Sequence, residues 1–365
     1  MLFLGAPGAR FRRPEVRSRA TPSIDKASSR RTDEELATLR HRPFLRRAAA
    51  GLVVAAVALN ALVYAHARAM THFVSGGPQT GRPETLSFTQ KLSVAAFGVQ
   101  MTKRRNERSP ANLSLPFETW KIPVEDGILL EAWDMPLDQR RGVVLLFHGY
   151  ADRKSSVLAE AEAFRSLGWE TVLVDFRGSG GSSGNATSLG FYEARDIAAS
   201  LALVRSKRPG DRVILWGVSM GGAAALRAVG RLGAVADALI VEAPFSTMRS
   251  AVVNRFETLG APTFGLVDLF MFWGGYQQGF DAFAHNPVEY AKDVRIPTLF
   301  LLGAEDKRVL QPEGRAIFDA LAGEKRFELF DGLGHESLVK GQRDHWLEVV
   351  GEFLDRFGAP IPAVH

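Results

Sequence analysis

The chain has 365 residues, 46% hydrophobic and 23% charged, with a formal net charge of +5 and no cysteine. That balance is globular and leaves room for one large α/β domain with extensions. The missing thiol excludes a cysteine nucleophile, thiolate metal sites and disulfides.

Basic residues crowd the stretch from Arg10 to Arg47, against few acids. Residues 1–43 therefore read as a basic arm, disordered for most of its length. The 18 residues from Ala48 to Ala65 carry no charge. Roughly 20 apolar residues cross a bilayer core, so this run is at the lower end of a spanning length. Residues 44–69 are expected to form a retained transmembrane signal anchor. The basic leader places the N-terminus in the cytoplasm and the chain after about Ala69 outside the cytoplasmic membrane. The arm then acts as a topology determinant, and no nucleic-acid partner is expected. A cleaved signal stays open, because Ala65-His66-Ala67 and Ala67-Arg68-Ala69 both have the small-x-small pattern. A buried helix of a cytosolic protein is the third reading.

Residues 70–115 form a connector with Gly76-Gly77-Pro78 and the basic cluster Lys103-Arg104-Arg105. Within it, Leu86–Met101 has helical spacing and could lie on the membrane surface or on the domain. Residues 116–358 are densely patterned. Phe117–Val124 and Ile128–Met135 read as strands joined at Glu125-Asp126-Gly127. Val143–Phe147 is a continuous apolar run, expected of a strand buried on both faces. Then come a helix (Ser155–Leu167), a strand (Glu170–Phe176), a helix (Phe191–Lys207), a strand (Arg212–Trp216), a helix (Met220–Arg231) and a strand (Ala238–Glu242). After a long interruption follow a strand (Thr298–Gly303), a helix (Glu313–Leu321), a strand (Arg326–Phe330) and a helix (Gln342–Phe357). Residues 359–365 read as a loop-like tail. This alternation predicts an α/β fold, a mostly parallel sheet with helices on both faces. Chemistry in such sheets sits at the carboxyl ends of strands.

Gly217-Val218-Ser219-Met220-Gly221 matches G-x-S-x-G between a strand and an Ala-rich helix. The turn is sharp, and a side chain at either flank would clash with neighbouring backbone. It lifts the Ser219 hydroxyl above the sheet edge and leaves the Met220 amide free to hold an oxyanion. His148-Gly149-Tyr150 follows the Val143–Phe147 strand, where the Tyr150 amide becomes a second oxyanion donor. His148 precedes the serine, so a packing role is expected for it. Asp306 follows the strand Thr298–Gly303, with Glu305 and Glu242 as rival acids. His335 follows the last strand between glycines and a glutamate; His285 and His345 lack that context. The order Ser219, Asp306, His335 is the one this layout expects. Histidine suits a base that must later act as an acid, since its pKa lies near neutrality. The Gly178–Gly184 loop does not fit a nucleotide-binding spacing, and His335-Glu336 is not completed to a zinc motif. No cofactor or metal is expected.

These segments carry a family resemblance. With HGY at 148–150, DFRGSGGS at 175–182, GVSMGG at 217–222, GAED at 303–306 and GLGH at 332–335, residues 117–357 resemble an α/β-hydrolase-fold serine hydrolase. The group includes monoacylglycerol lipases, carboxylesterases and serine aminopeptidase-like proteins. The resemblance implies that Asp175–Gly178 is a structural loop and that a small helical cap occupies about residues 245–296, with an apolar segment around Phe264–Tyr276. Many lipases of the group have histidine where this chain has Val218. Relatives using an aspartate nucleophile are set aside by Ser219. The expected function is a membrane-anchored hydrolase of lipid or small acyl esters, working through Ser219, His335 and Asp306. An amidase or aminopeptidase, an acyltransferase and a tethered binding protein with a vestigial site are the alternatives.

Overall fold

Helix α1 runs from Asp25 to Thr71 in the computed structural model, which describes residues 25–81 and 83–358. Contacts divide the chain into two compact units, Met1–Leu59 and Asn60–His365. The segment Leu45–Thr71 of α1 is long and apolar enough to cross a membrane. The helix begins well before the apolar run. The arm expected to be disordered is therefore helical from Asp25, while residues 1–24 lie outside the described residues. Arg, Glu, Leu and Ala dominate that stretch, and adding good helix formers to an existing helix avoids the cost of a new nucleus.

The connector lies on the second unit. The Phe73 amide donates to the Asn185 carbonyl (2.6 Å). Val74 bridges Thr102, and Phe73 and Met101 are buried together with Ala151. Helix α2 (Phe88–Phe97) opens on a reciprocal capping box between Ser87 and Gln90.

Eight strands form one sheet: β1 (Glu118–Pro123), β2 (Leu129–Met135), β3 (Val143–Phe147), β4 (Glu170–Asp175), β5 (Val213–Val218), β6 (Ala238–Glu242), β7 (Thr298–Gly303) and β8 (Lys325–Phe330), in the order β1-β2-β4-β3-β5-β6-β7-β8. Strand β2 pairs antiparallel with both β1 and β4, and the pairs from β4 through β3, β5, β6 and β7 to β8 are parallel. All five residues of β3 are buried, as its unbroken apolar run requires. Its side chains divide with period two. Val143, Leu145 and Phe147 join the core under helices α4 (Glu193–Lys207), α5 (Met220–Leu232) and α9 (Gln311–Ala320). Val144 and Leu146 face α3 (Leu158–Ser166) and α11 (Arg343–Gly358), the latter preceded by the short α10 (Leu338–Gly341). Between Pro244 and Pro297 the cap contributes α6 (Met248–Leu259), α7 (Leu266–Gln278) and α8 (Pro287–Ala291).

Two features of the sheet matter for the site. Strand β3 lies between β4 and β5, with Phe147 paired to Gly217. The loops leaving β3 and β5 are therefore side by side at the carboxyl edge. Strands β7 and β8 are neighbours as well, so their following loops also meet there.

Candidate active site

Ser219 sits at φ 53°, ψ −115°, between β5 and the first turn of α5. A non-glycine residue in this region costs on the order of 1–3 kcal/mol and persists only when its surroundings hold it. Here the Ser219 amide donates to the Glu242 carbonyl (2.7 Å), and its own carbonyl accepts from Ala223 (3.0 Å). The flanking glycines are required sterically. A Cβ on Gly217 would lie 2.5 Å from the Gly221 carbonyl, and one on Gly221 would lie 2.4 Å from the Phe147 carbonyl. The small residues of α5, with Ala223, Ala224 and Ala225 fully buried, let the helix approach the sheet.

The structure brings Ser219, His335 and Asp306 into one line. His335 Nε2 lies 3.1 Å from Ser219 Oγ, and His335 Nδ1 lies 2.7 Å from Asp306 Oδ2. Asp306 is fixed from its other side, since Oδ1 accepts from the amides of Arg308 (2.7 Å) and Val309 (2.9 Å). The loop bearing His335 presses on the end of β7, where a Cβ at Gly303 would meet the Gly334 carbonyl at 2.3 Å. Asp306 is buried, whereas Ser219 and His335 are part-exposed. This arrangement permits proton transfer from a hydroxyl that substrate can reach to an imidazole with a shielded carboxylate behind it.

Of the two expected oxyanion donors, Met220 follows Ser219 directly and Tyr150 follows Gly149 just past the end of β3. Met220 opens α5, so its amide is among the first-turn donors without an intrahelical partner. On the β3 side, a Cβ at Gly149 would lie 3.6 Å from Ser219 Cβ, which puts Gly149, the residue before Tyr150, against the serine. The Tyr150 side chain points elsewhere: its hydroxyl donates to the Met70 carbonyl (2.5 Å). Burial pushes that hydroxyl up to about 12, opposed by the Arg255 charge.

The remaining candidates have other surroundings. His148 is buried, with Nδ1 donating to the Gly149 carbonyl (2.8 Å) and Nε2 accepting from the Phe176 amide (3.2 Å). Both nitrogens are thereby committed to the backbone. His285 is buried between Tyr290 and the Leu189 carbonyl, and His345 lies by Glu328. Glu305 is exposed. Among the described residues no group of three or more His, Asp or Glu side chains forms a metal site.

Two buried polar clusters were not anticipated from sequence. Glu242 Oε1 accepts from both the Trp216 (3.0 Å) and Trp346 (2.8 Å) indoles. Beside the site, Lys154 is buried with its Nζ on Glu131 (2.7 Å) and on Asp175. Asp175 also accepts from Asn106 (2.7 Å) and the Gly181 amide (2.8 Å). Burial pushes the Asp175 carboxyl up, but the charge and hydrogen bonds of Lys154 more than offset this and hold it below its ordinary value. The Asp175–Gly178 segment is thus a scaffold loop pinned by a buried cation. A lysine in a loop reads as exposed, and no sequence signal marks this one.

A family model described as serine aminopeptidase, S33, matches residues 138–268. The uncharacterized membrane protein YNL320W of Saccharomyces cerevisiae is 23% identical over 254 residues, covering 69% of this chain and 84% of that protein. The lysophosphatidylserine lipase ABHD12 of Danio rerio is 26% identical over 206 residues, 53% of this chain and 51% of that protein. Of solved structures, the Pyrococcus furiosus esterase Pf2001 is similar with a TM-score of 0.58 at 20% identity, over 70% of this chain and 99% of that one. The sheet order, the strained strand-to-helix turn and the likeness to the solved esterase have one common reading: the chain has the α/β-hydrolase fold.

Proposed function

We propose that this chain is a membrane-anchored serine hydrolase that cleaves carboxylic esters of lipids or small acyl compounds, with its catalytic domain on the external side of the cytoplasmic membrane. The observation that carries the reading is the His335 ring held between Ser219 Oγ (3.1 Å) and Asp306 Oδ2 (2.7 Å). In this mechanism Ser219 Oγ attacks the ester carbonyl carbon while His335 Nε2 takes its proton. Asp306 orients the ring and stabilises the imidazolium. The amides of Met220 and Tyr150 receive the oxyanion, helped by the positive end of α5. His335 then passes its proton to the departing alcohol, leaving an acyl-Ser219. Water, deprotonated by His335, attacks the acyl carbon and releases the acid and the free serine.

The lipase and esterase descriptions of the relatives support an ester substrate. The apolar helix and the membrane description of one relative support anchoring. The basic residues before the helix support the external placement of the domain. A fluorophosphonate probe tests the mechanism: it should label Ser219 in the wild type and nothing in Ser219→Ala. Labelling that persists at another residue overturns the assignment. The description of the matching family model favours a second reading, an aminopeptidase or amidase. A series of p-nitrophenyl esters of increasing acyl length, with the matching anilides, separates the two. Turnover confined to the anilides would replace the esterase reading.

A further inference from the structure

We propose that the face built by the end of α1, helix α2 and cap helix α7 is seated in the lipid interface of the same bilayer that α1 enters, so that the cap meets its substrate from the membrane. This rests on the membrane-anchored reading above and deepens it, because it makes the substrate an amphiphilic ester drawn from the bilayer.

Helix α1 has no charged residue from Ala48 until Arg68. Asn60 and Tyr64 are 12 and 16 residues beyond Ala48. That is about 18 and 24 Å along a helix rising 1.5 Å per residue, against a hydrocarbon core of about 30 Å. Both residues are held by the cap. Asn60 Oδ1 accepts from the Trp273 indole (3.1 Å), and the Tyr64 carbonyl accepts from Gln277 Nε2 (2.9 Å). The Tyr64 and Trp273 rings meet edge to face at 5.4 Å. Trp273 in turn contacts Phe272 (5.1 Å) and Tyr276 (5.7 Å) on α7. One aromatic cluster therefore continues from the apolar helix onto the cap.

That cluster is open on its outer side. Phe272 is half exposed, Tyr276 is 70% exposed, and Phe264 just before α7 is 98% exposed. Tyrosine and tryptophan favour the headgroup level, where a ring can be apolar at one end and wet at the other. Helix α2 extends the surface. His66 Nε2 of α1 donates to the Val94 carbonyl (3.1 Å), and Lys91 Nζ reaches the Thr258 carbonyl of α6 (2.7 Å). With α2 fastened at both sides, its Phe88 and Leu92 remain exposed, and Phe97 is 87% exposed. Scattered exposed apolar residues are ordinary. Here they occur on elements fastened to the last turns of one apolar helix, and an aromatic surface continuous with a membrane span has lipid as its neighbour.

The chain has no cysteine, so single labelling sites are unambiguous. The full-length protein is reconstituted in phosphatidylcholine vesicles with an environment-sensitive fluorophore on Phe272→Cys, Phe97→Cys, Val54→Cys or Val235→Cys. Val54 lies in the apolar run, and Val235 is exposed in the turn between α5 and β6. Nitroxide-bearing lipid should quench Phe272→Cys and Phe97→Cys several-fold more than Val235→Cys, and aqueous iodide should show the reverse order. If Val54→Cys is quenched by lipid while Phe272→Cys and Phe97→Cys follow iodide, the face is in water and the proposal is overturned. Shielding from both quenchers that vanishes on dilution into excess vesicles would make the occupant a second copy, again overturning it. Iodide quenching of Val54→Cys would instead remove the membrane reading beneath it. Fluorophosphonate labelling of the same preparations reports the hydrolase reading separately.

Discussion

Glu242 offers a test of how the nucleophile turn is supported. It ends β6, its carbonyl accepts the Ser219 amide, and its buried carboxyl accepts two indole donors through one oxygen. Burial, with Glu160 adding in the same direction, pushes this carboxyl from 4.5 up to about 8. The folded protein thus keeps a proton that the unfolded chain gives up near pH 4.5. A carboxyl raised in this way stabilises the fold fully below its unfolded pKa, and that stability is lost as pH rises toward the folded value. At ~1.4 kcal/mol per pH unit, the loss between pH 5 and pH 9 is about 4 kcal/mol. Glu242→Gln has no proton to lose, and its amide oxygen can accept both indoles. Its extra buried N–H costs about 1–2 kcal/mol at every pH. The variant should therefore be slightly less stable than wild type at pH 5 and clearly more stable at pH 9. Urea denaturation of the full-length protein in detergent, followed by tryptophan fluorescence from pH 5 to 9, reads this directly. Parallel pH profiles for the two proteins would refute a neutral, proton-holding Glu242.

Asp306→Asn should lower kcat about 10⁴-fold with little change in KM or fold. The amides of Arg308 and Val309 would retain the Asn oxygen and turn its NH₂ toward His335 Nδ1, forcing the ring proton to face Ser219; a near-wild-type kcat refutes this. Gly221→Ala drives a methyl to 2.4 Å from the Phe147 carbonyl and 2.8 Å from that of His148. It should cost about 1–3 kcal/mol in a melting experiment and strongly slow fluorophosphonate labelling; unchanged labelling would show that the turn tolerates a side chain. Tyr150→Phe removes only the hydroxyl bound to the Met70 carbonyl, so stability should fall by about 1 kcal/mol while the labelling rate stays near wild type. A loss of about 100-fold or more, typical of a missing oxyanion donor, would assign the role to the hydroxyl and not to the amide.

The parts of the fold legible in the sequence are those set by local pattern. The β3 run is continuous because both faces are covered, and the expected Val143–Phe147 is the observed strand. Gly217 and Gly221 are required by backbone atoms a few residues away or on the adjacent strand, so the turn is visible as a motif. The connector is different. Phe73 and Met101 stand among glycine, proline and basic residues, and what buries them is a distant partner, the Asn185 carbonyl and the Ala151 turn. Periodicity carries no record of such contacts. Lys154 was illegible for the same reason: two carboxylates distant in sequence, Glu131 and Asp175, the latter also held by Asn106, make its burial tolerable.

Three acids near the carboxyl edge of the sheet were open in the sequence, and side-chain direction separates them. Glu242 is still within a strand, so its carboxyl is aimed into the layer under Trp346 of α11, where an ionised group would be unsupported. Glu305 and Asp306 both leave β7, one residue apart, and therefore on opposite sides of the chain. The Glu305 amide is tied to the Leu333 carbonyl (2.8 Å) while its side chain is exposed. Asp306 turns inward, and the amides of Arg308 and Val309 hold one oxygen so that the other faces His335. Chain order alone favours an acid between the serine and the histidine, which all three satisfy. Only Asp306 combines burial with two backbone donors on one oxygen that leave the other oxygen aimed at the His335 ring.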